Sequence, residues 1–312
     1  MLSVNIDQIV KKLEVGSIES INYFPKYFEI ETVNACNARC IMCTVDEWNK
    51  EKADEFTMSM ELFEKFADEV KGYRDWIETV CLNRDGEPTL DKYLVKRVKM
   101  LKDAGIKKVT FATNAQKLTP KLSKELLEAG LDDIMISIDS IEKETYETIR
   151  KNLSFDKVLA NILSFIQIRD ENNFRATIRI RAINLELNKN QLDDWLEFWK
   201  SKLKEFDRAY VMPEHSWGNQ SFNEMQKKVD YYSNKMCISP FSTFIMHVNG
   251  TVPLCGCDYK ARHTLGQFGV DSIQTIWNGA PYSKIRALHK NSNRNQIDLC
   301  QGCSIWDKEY AE

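Results

Sequence analysis

The sequence has no apolar run close to the roughly 20 residues that a membrane-spanning helix needs. It has no excess of one charge either. The net charge is −3 with acidic and basic residues interspersed, so nucleic acid and a membrane surface are not expected partners. The first residues lack the continuous apolar core of a signal peptide, because Lys11 and Lys12 interrupt it. These absences predict a soluble, cytoplasmic protein, and an apolar content of 43% is sufficient for a folded core.

Histidine is also scarce, with four residues and none before His215, whereas cysteine is abundant, with nine. An odd number does not suit a disulfide framework, and clustered cysteines in a reducing cytoplasm indicate metal or iron–sulfur ligands. Cys81 stands alone. The other cysteines form two groups: Cys36, Cys40 and Cys43 near the start, and Cys237, Cys255, Cys257, Cys300 and Cys303 near the end.

From residue 26 to residue 213, stretches typical of β-strands alternate with stretches typical of helices. This alternation predicts six βα units and a parallel sheet. Its spacing favours an α/β fold with an open, partial (β/α)6 barrel of TIM-like type over a closed barrel of eight strands. The predicted strands are 26–33, 77–83, 107–114, 133–139, 175–183 and 208–213, and the predicted helices are 58–73, 91–104, 119–129, 142–150, 155–170 and 189–203.

Alternate positions in these strands are polar, although parallel strands are usually apolar on both faces. Side chains alternate between the two faces of a strand, so the polar ones should share one side of the sheet. We expect the apolar face to pack on the helices and the polar face to line a ligand cavity. The polar set comprises Cys81, Asn83, Asp85, Thr110, Asn114, Ser137, Asp139, Thr177, Arg179 and Arg181.

The character of the sequence changes near residue 228. We predict an N-terminal amphipathic segment (1–25), a barrel domain (26–227) and a small cysteine-rich α+β module (228–312). In the module, Asn249-Gly250 predicts a turn between two short strands, and a helix is expected near 272–289.

The front cysteines provide three thiolates, one fewer than a closed zinc or iron–sulfur site needs. A cluster held by three cysteines leaves one iron open to a substrate or cosubstrate. The pattern Cys36-x3-Cys40-x2-Cys43, which follows the strand in "IETVNACN", resembles the radical SAM superfamily. That resemblance implies a [4Fe–4S] cluster whose open iron binds S-adenosylmethionine (SAM), and SAM cleavage to a 5′-deoxyadenosyl radical that abstracts hydrogen. The alternative is a zinc knuckle completed by Cys81 or by a distant residue.

Three further motifs occur in the order of that family. "DGEP" (85–88) matches the element that receives the SAM amino group, "ATNA" (112–115) matches "TNG", and "SIDS" (137–140) matches a strand that faces the SAM ribose and carboxylate. Asp85 and Ala115 stand where the family has glycine, and Met42 stands where an aromatic residue is commonest. The SAM contacts that we expect are Met42, Asp85, Gly86, Glu87, Asn114, Ser137, Asp139 and Arg179.

The rear cysteines resemble the SPASM/Twitch module that follows many radical SAM barrels. Cys237, Gly250-x4-Cys255, "LGQF", "SIQTIWN" and Cys300-x2-Cys303 carry this resemblance. It looks like the shorter Twitch form, which implies one closed auxiliary [4Fe–4S] cluster on Cys237, Cys255, Cys300 and Cys303. Structural zinc on the same four residues is the alternative.

Cys257 is then an additional thiol with three interpretations: a bystander, an alternative cluster ligand, or a hydrogen-atom donor to a substrate radical. Cys81 is a second candidate donor, and its other interpretation is a small buried side chain.

The resemblance and the polar cavity favour a radical SAM oxidoreductase that oxidises an alcohol carbon of a hydroxylated small molecule, of sugar or aminocyclitol type. In this hypothesis Arg181 or His215 takes the hydroxyl proton, the auxiliary cluster accepts an electron, and a flavodoxin or ferredoxin supplies the reducing electron. Only 35 residues precede Cys36, so we expect no leader-peptide recognition domain. The alternatives are an epimerase that uses Cys257, a peptide- or protein-modifying enzyme, and a non-enzymatic zinc-binding protein.

Overall fold

The structure is a computed structural model, and it describes residues 3–48, 53–214, 217, 218, 220, 236–301 and 303. The chain divides into two compact units. The barrel unit comprises residues 30–74 and 79–214, and the terminal unit comprises residues 1–29, 75–78 and 215–312. Among the described residues, no helix combines the length and the apolar character that a membrane span requires.

The elements before residue 215 are, in chain order, α1 (Ser3–Lys12), β1 (Tyr27–Ile30), β2 (Arg39–Cys40), α2 (Val45–Trp48), α3 (Met60–Lys71), β3 (Thr79–Cys81), α4 (Leu94–Asp103), β4 (Val109–Thr113), α5 (Pro120–Glu128), β5 (Asp133–Ser137), α6 (Lys143–Ile149), β6 (Arg150–Lys151), α7 (Phe155–Glu171), β7 (Thr177–Asn184), α8 (Leu192–Lys200) and β8 (Arg208–Pro213). Those after residue 235 are α9 (Ser239–Ser242), β9 (Thr243–Met246), β10 (Thr251–Pro253), β11 (Thr264–Gln267), α10 (Ile273–Trp277) and α11 (Ala280–Lys290). Short 3-10 turns lie at Ile18–Asn22, Ala53–Phe56, Pro88–Leu90, Lys189–Gln191, Arg294–Gln296 and Asp298–Cys300.

Five strands of the barrel unit run parallel in the order β3-β4-β5-β7-β8. Because each strand lies beside the preceding one, the sheet grows in one direction, as in a barrel. On its apolar face Phe111, Ile134 and Ile178 lie side by side in register, and all three are fully buried. Helix α4 packs on β4, and α8 packs on β8. These parallel strands joined by helices confirm the predicted α/β architecture.

The other face of the sheet carries most of the polar side chains of the strands. In β7, Arg179 and Arg181 are partly exposed, whereas Ile178 and Ile180 are fully buried. The predicted segregation of polar and apolar residues is therefore present in this strand. Two rows cross the polar face in register, namely Thr110–Asp133–Thr177 at the amino ends of the strands and Ser137–Arg181–Tyr210 at their carboxyl ends.

The N-terminal segment and the cysteine-rich region share a hydrophobic core in the terminal unit. This core contains Ile9, Leu13, Ile18, Ile21, Met236 and Phe241. The indole N–H of Trp277 also donates to the carbonyl oxygen of Ile21 at 2.7 Å. Residues from both ends of the chain thus stabilise one another.

The strands around Asn249-Gly250 form as predicted, but their pairing differs from a simple hairpin. The turn is present: Gly250 has φ +85°, and its N–H donates to the carbonyl oxygen of His247 at 2.9 Å. β10 makes its antiparallel ladder with β11, while β9 lies beside β1. The sequence signal therefore located the turn and missed the more distant strand partner.

The helix predicted near 272–289 is two helices. α10 ends at Trp277, and α11 begins after Gly279 with Pro281 in its first turn. Proline is well suited to the first turn of a helix and lacks the N–H that a continuous helix would need there. Asn278 and Gly279 therefore separate the two helices.

A buried ion pair joins α7 to the sheet of the barrel unit. Arg169 donates to both carboxylate oxygens of Asp207, at 2.9 and 2.8 Å, and both side chains are fully buried. The same carboxylate accepts the backbone N–H of Ile178 at 2.8 Å and that of Lys204 at 3.1 Å. Asp207 thus fixes the entry into β8 against β7.

We predict that Asp207→Asn destabilises the protein by about 3 kcal/mol, because it leaves the buried Arg169 charge without its main partner. Asp170, which also contacts Arg169, keeps the loss at the lower end of the usual range. The measurement is the midpoint of urea unfolding, followed by tryptophan fluorescence. Asp156→Asn is the control, because Asp156 pairs with Lys143 at the surface and should change stability by less than about 1 kcal/mol. Equal midpoints for the two variants would contradict the role given to Asp207.

Candidate functional site

The loop that carries Cys36, Cys40 and Cys43 is held at its centre by a short antiparallel strand pair. In that pair, β2 places Cys40 opposite Arg150 of β6. The backbone N–H of Cys43 donates to the carbonyl oxygen of Cys40 at 3.0 Å, which turns the chain back on itself. The structure therefore brings the three predicted ligands into one loop, and each of them is partly exposed.

The protonation of these thiols indicates what the loop can bind. Burial is the main cause that raises the pKa of Cys36 and of Cys43 to about 12. The negative charge of Glu87 raises the pKa of Cys36 further, and that of Cys40 does the same for Cys43. Three thiolates in such a loop need cations in place of their protons. Thiolates are the ligands of iron–sulfur clusters, so this donor set fits a [4Fe–4S] group.

Arg150 faces the cysteine loop, although the sequence did not predict it there. Its Nη1 donates to Cys40 Sγ at 3.6 Å, and its Nε donates to Asp139 Oδ2 at 2.6 Å. Burial raises the pKa of Cys40, whereas the charge of Arg150 lowers it. No motif marks this arginine, because only the pairing of β2 with β6 brings it to the cysteine.

Asp139 and Arg179, both expected to contact SAM, bind other side chains in the structure. Asp139 is fully buried, and besides Arg150 its carboxylate accepts the backbone N–H of Ile183 at 2.8 Å. Arg179 Nε donates to both carboxylate oxygens of Asp133, at 2.9 and 3.0 Å. Asp133 belongs to the row at the amino ends of the strands, so Arg179 reaches away from the carboxyl ends.

The "DGEP" segment packs closely on the chain that enters the cysteine loop. A Cβ atom on Gly86 would lie 1.9 Å from the carbonyl oxygen of Val33 and 2.9 Å from that of Ala35. The backbone N–H of Glu87 donates to the same Ala35 oxygen at 2.8 Å. Only glycine therefore fits at position 86. Asp85, the preceding residue, forms an ion pair with Arg84 at 3.7 Å.

Glu87 connects the "DGEP" and "ATNA" motifs. Its buried carboxylate accepts Thr113 Oγ1 at 2.6 Å and the backbone N–H of Asn114 at 2.8 Å. Burial is the largest influence on this group and raises its pKa. The Asn114 side chain in turn donates to Asn37 Oδ1 at 2.9 Å, next to Cys36. The two motifs and the cysteine loop therefore form one hydrogen-bonded assembly.

Ala115 and Met42, which depart from the family pattern, both have structural explanations. Ala115 is fully buried with φ +60°, a left-handed conformation that glycine adopts more readily. This chain thus keeps the glycine-like backbone conformation at that position. Met42 packs against an apolar cluster formed by Ile149, Ile183 and Leu185.

Arg181 lies in the row at the carboxyl ends of the strands. Its Nη2 donates to Ser137 Oγ at 3.2 Å, while its buried Nε has no hydrogen-bond partner among the residues described. Burial lowers the pKa of Arg181. Ligands of parallel α/β sheets bind at the carboxyl ends of the strands. Arg181 therefore places a donor where a ligand is expected.

The described rear cysteines also come together, in the terminal unit. Cys257 is fully buried, and hydrogen bonds with the sulfurs of Cys255 and Cys303 raise its pKa well above the usual value. Burial raises the pKa of Cys300, and the neighbouring Cys255 and Cys303 add to this. Cys257 thus lies among the predicted ligands. Cys81, the other candidate donor, donates its thiol hydrogen to Asn83 Oδ1 at 3.2 Å.

Cys237 is connected to this group through His289. Its backbone N–H donates to His289 Nδ1 at 3.1 Å, and His289 Nε2 lies 3.9 Å from Cys300 Sγ. Burial, followed by the charge of Arg294, lowers the pKa of His289 to about 3. His215, the other candidate catalytic base, lies outside the described residues.

Residues 30–184 match the radical SAM superfamily, and residues 237–304 match SPASM, an iron–sulfur cluster-binding domain. The chain is a radical SAM protein with a SPASM domain. Its cofactors are SAM, a [4Fe–4S] cluster and an auxiliary iron–sulfur cluster. The predicted partial barrel with a small cysteine-containing module is confirmed as well.

Curated relatives match about half of the chain. A tungsten-containing aldehyde ferredoxin oxidoreductase cofactor-modifying protein of Pyrococcus furiosus is 26% identical over 175 residues, which is 54% of this chain and 46% of that protein. A probable GTP 3′,8-cyclase of Saccharolobus islandicus is 34% identical over 139 residues, which is 45% of this chain and 43% of that protein. The chain thus spans less than half the length of these relatives.

Solved radical SAM structures share the fold over most of this chain. BtrN in complex with AdoMet and 2-DOIA matches with a TM-score of 0.60 and 17% identity, over 89% of this chain and 92% of BtrN. Streptococcus suis SuiB bound to the precursor peptide SuiA matches with a TM-score of 0.67 and 13% identity, over 90% of this chain and 70% of SuiB. anSMEcpe with bound AdoMet matches with a TM-score of 0.63 and 15% identity, over 91% of each chain.

We predict that Gly86→Ala destabilises the protein by about 2–3 kcal/mol and lowers the iron bound per chain after reconstitution. The added Cβ must displace the backbone at Val33, and overpacking of a dense region has a cost of this size. Urea midpoints of the apo-protein and iron analysis of the reconstituted protein measure the two effects.

Gly72→Ala is the matched control, because Gly72 has right-handed helical dihedral angles and its Cβ would meet an ordinary contact at 3.4 Å. This control should bind iron normally and be unchanged or slightly stabilised. If Gly86→Ala behaved like Gly72→Ala, the close packing of the "DGEP" segment would not be required.

Proposed function

We propose that this protein is a radical SAM oxidoreductase that oxidises an alcohol carbon of a hydroxylated small molecule, of sugar or aminocyclitol type. The observation that carries this proposal is Arg181. It is a cation at the carboxyl ends of the strands, with a buried N–H that no described side chain accepts. An oxygen-rich substrate supplies the acceptor that this donor lacks.

The residues of the barrel unit have distinct roles in this proposal. Cys36, Cys40 and Cys43 hold the first cluster, and the segment around Gly86 and Glu87, with Ser137, holds SAM. When bound, the cluster and SAM would supply the chemistry that removes a hydrogen atom from the substrate carbon. Oxidation of an alcohol to a carbonyl also releases one electron and the hydroxyl proton.

Arg181 binds and orients the substrate hydroxyl by donating to its oxygen. Its charged guanidinium has no lone pair for the hydroxyl proton, so we propose His215 as the proton acceptor. The partner Ser137 Oγ fixes one end of the guanidinium and leaves Nε directed elsewhere. His215 remains a candidate from the sequence alone.

The terminal unit provides the acceptor for the remaining electron. We propose Cys237, Cys255, Cys300 and Cys303 as the ligands of the auxiliary cluster, since four thiolates close a site and favour electron transfer over substrate binding. A flavodoxin or ferredoxin type of donor would reduce the first cluster. The match to BtrN, a structure solved with AdoMet and 2-DOIA, supports this class of substrate.

The structure gives the other hypotheses less support. The position of Cys257 among Cys255 and Cys303 favours a role at the auxiliary site over hydrogen donation in an epimerase. Modification of a peptide, suggested by the match to SuiB, has no specific support from the polar strand face.

We predict that the reconstituted, dithionite-reduced protein releases 5′-deoxyadenosine from SAM under anaerobic conditions. The variant with Cys36, Cys40 and Cys43 all replaced by alanine should release none, because it cannot hold the first cluster. Chromatography of the nucleoside products measures this. A full iron content without 5′-deoxyadenosine would contradict the proposed chemistry.

The same assay distinguishes the substrate classes. A panel of sugars, polyols and aminocyclitols should include compounds that accelerate 5′-deoxyadenosine release and yield a carbonyl product, detected by mass spectrometry as a loss of 2 Da. Arg181→Met should lose this acceleration. Acceleration by peptides alone would replace the proposed substrate class with peptide modification, and an unchanged product mass with hydrogen exchange at carbon would indicate epimerisation.

A further inference from the structure

A buried histidine links two of the proposed auxiliary-cluster ligands. His289 lies in the last turn of α11 and is 1% exposed. Its Nδ1 accepts the backbone N–H of Cys237 at 3.1 Å. A ring nitrogen that accepts a hydrogen bond carries no proton itself, so the proton of this imidazole is on Nε2.

The protonated nitrogen faces the second cysteine. His289 Nε2 lies 3.9 Å from Cys300 Sγ, at the long end of a hydrogen bond to sulfur. The ring of Phe241 meets the imidazole edge-to-face, with centroids 6.4 Å apart. The plane of the imidazole is therefore fixed by contacts on more than one side.

Arg294 positions the same cysteines through their main chain. It is 2% exposed, and its Nη2 donates to the carbonyl oxygens of Cys300, at 3.5 Å, and of Cys303. Arg294 thus fixes the backbone of the CxxC segment. The contact of His289, by contrast, is with the side-chain sulfur of Cys300. The buried His289 ring therefore does more than fill space in the core, because its one N–H is directed at Cys300 Sγ, a proposed cluster ligand.

We propose that His289 is a positioning residue of the auxiliary cluster, which orders Cys237 through its main chain and donates an N–H···S hydrogen bond to the Cys300 thiolate, thereby raising the reduction potential of the cluster. The inference depends on the auxiliary cluster and its ligands, and it is independent of which substrate the enzyme oxidises. Reduction adds negative charge to a cluster and its sulfurs. A hydrogen bond to sulfur stabilises that charge, and such bonds are among the factors that set cluster potentials.

Two substitutions separate the two contacts of the ring. His289→Gln keeps an amide N–H near the position of Nε2 and loses the acceptor for Cys237. His289→Asn keeps an acceptor near Nδ1 and loses the donor to Cys300. Both are compared in the full-length chain with Cys36, Cys40 and Cys43 replaced by alanine, so that only the auxiliary cluster is present and SAM chemistry plays no part.

The readout is the midpoint potential of the cluster, from a redox titration followed by electron paramagnetic resonance. His289→Asn should lower the reduced-to-oxidised ratio at a fixed potential about three- to tenfold, where tenfold is 59 mV for one electron. His289→Gln should stay closer to the unsubstituted protein. The control is His263→Asn, because the contact recorded for the His263 ring among the described residues is with Asp298 and not with a cysteine sulfur. The cluster potential of this variant should be unchanged.

Equal potentials in His289→Asn, His289→Gln and the unsubstituted protein would overturn the proposal. If both variants lose the cluster, the proposal is tested in the chain that carries only the three cysteine substitutions and keeps His289. Labelling its histidines with 15N should give a weak nitrogen coupling to the reduced cluster in pulsed electron paramagnetic resonance. The absence of this coupling would also overturn the proposal. Neither result would affect the test of SAM cleavage, which is made in the chain with all its cysteines.

Discussion

The close contact between Gly86 and the carbonyl oxygen of Val33 is the constraint on which the barrel site depends. Because no side chain separates the two segments, the "DGEP" backbone can bond directly to Ala35, one residue before the first cysteine. Glu87 then extends the connection to the end of β4 through Thr113 and Asn114. The cysteine loop contributes few fully buried apolar side chains, among them Ala35 and Ala38. Its shape is therefore fixed by the strand ends against which it packs.

The carboxylate of Glu87 illustrates how this assembly tolerates a buried acid. Burial disfavours its charged form, yet it accepts bonds from Thr89, Thr113 and Asn114, which favour that form. A carboxyl group with this many donors is held in one orientation. Such rigidity matters in a radical SAM protein, because the site must bring a reactive intermediate to the substrate and keep it away from other groups.

Much of the fold followed from the sequence because its signals are local. Strand 208–213 and β8 coincide, and the predicted helix 119–129 differs from α5 only at its ends, where Thr119 forms the cap. The alternation of polar and apolar residues correctly separated the two faces of β7. The prediction of one helix near 272–289 was wrong. The pattern of apolar residues continues across Gly279, whereas the helical backbone is interrupted there.

The site was harder to predict because its partners are distant in sequence. The cysteines were recognisable by spacing, but the partners of their sulfurs were not. Arg150 reaches Cys40 only through the pairing of β2 with β6, and His289 reaches Cys300 only through the packing of α11. For Arg179, the alternating pattern correctly predicted the face of the strand, but it did not predict that the side chain bonds to Asp133.

In the part of the chain that the structure describes, each unit directs a buried side-chain donor at one of its cysteines. Arg150 is a cation anchored by Asp139, whereas His289 is a neutral ring anchored by the backbone of Cys237. A cation stabilises a thiolate by charge as well as by hydrogen bonding, while a neutral ring acts through its N–H dipole alone. In each case the second contact prevents the donor from rotating away from the sulfur. The two cysteine groups of one chain thus have different electrostatic surroundings.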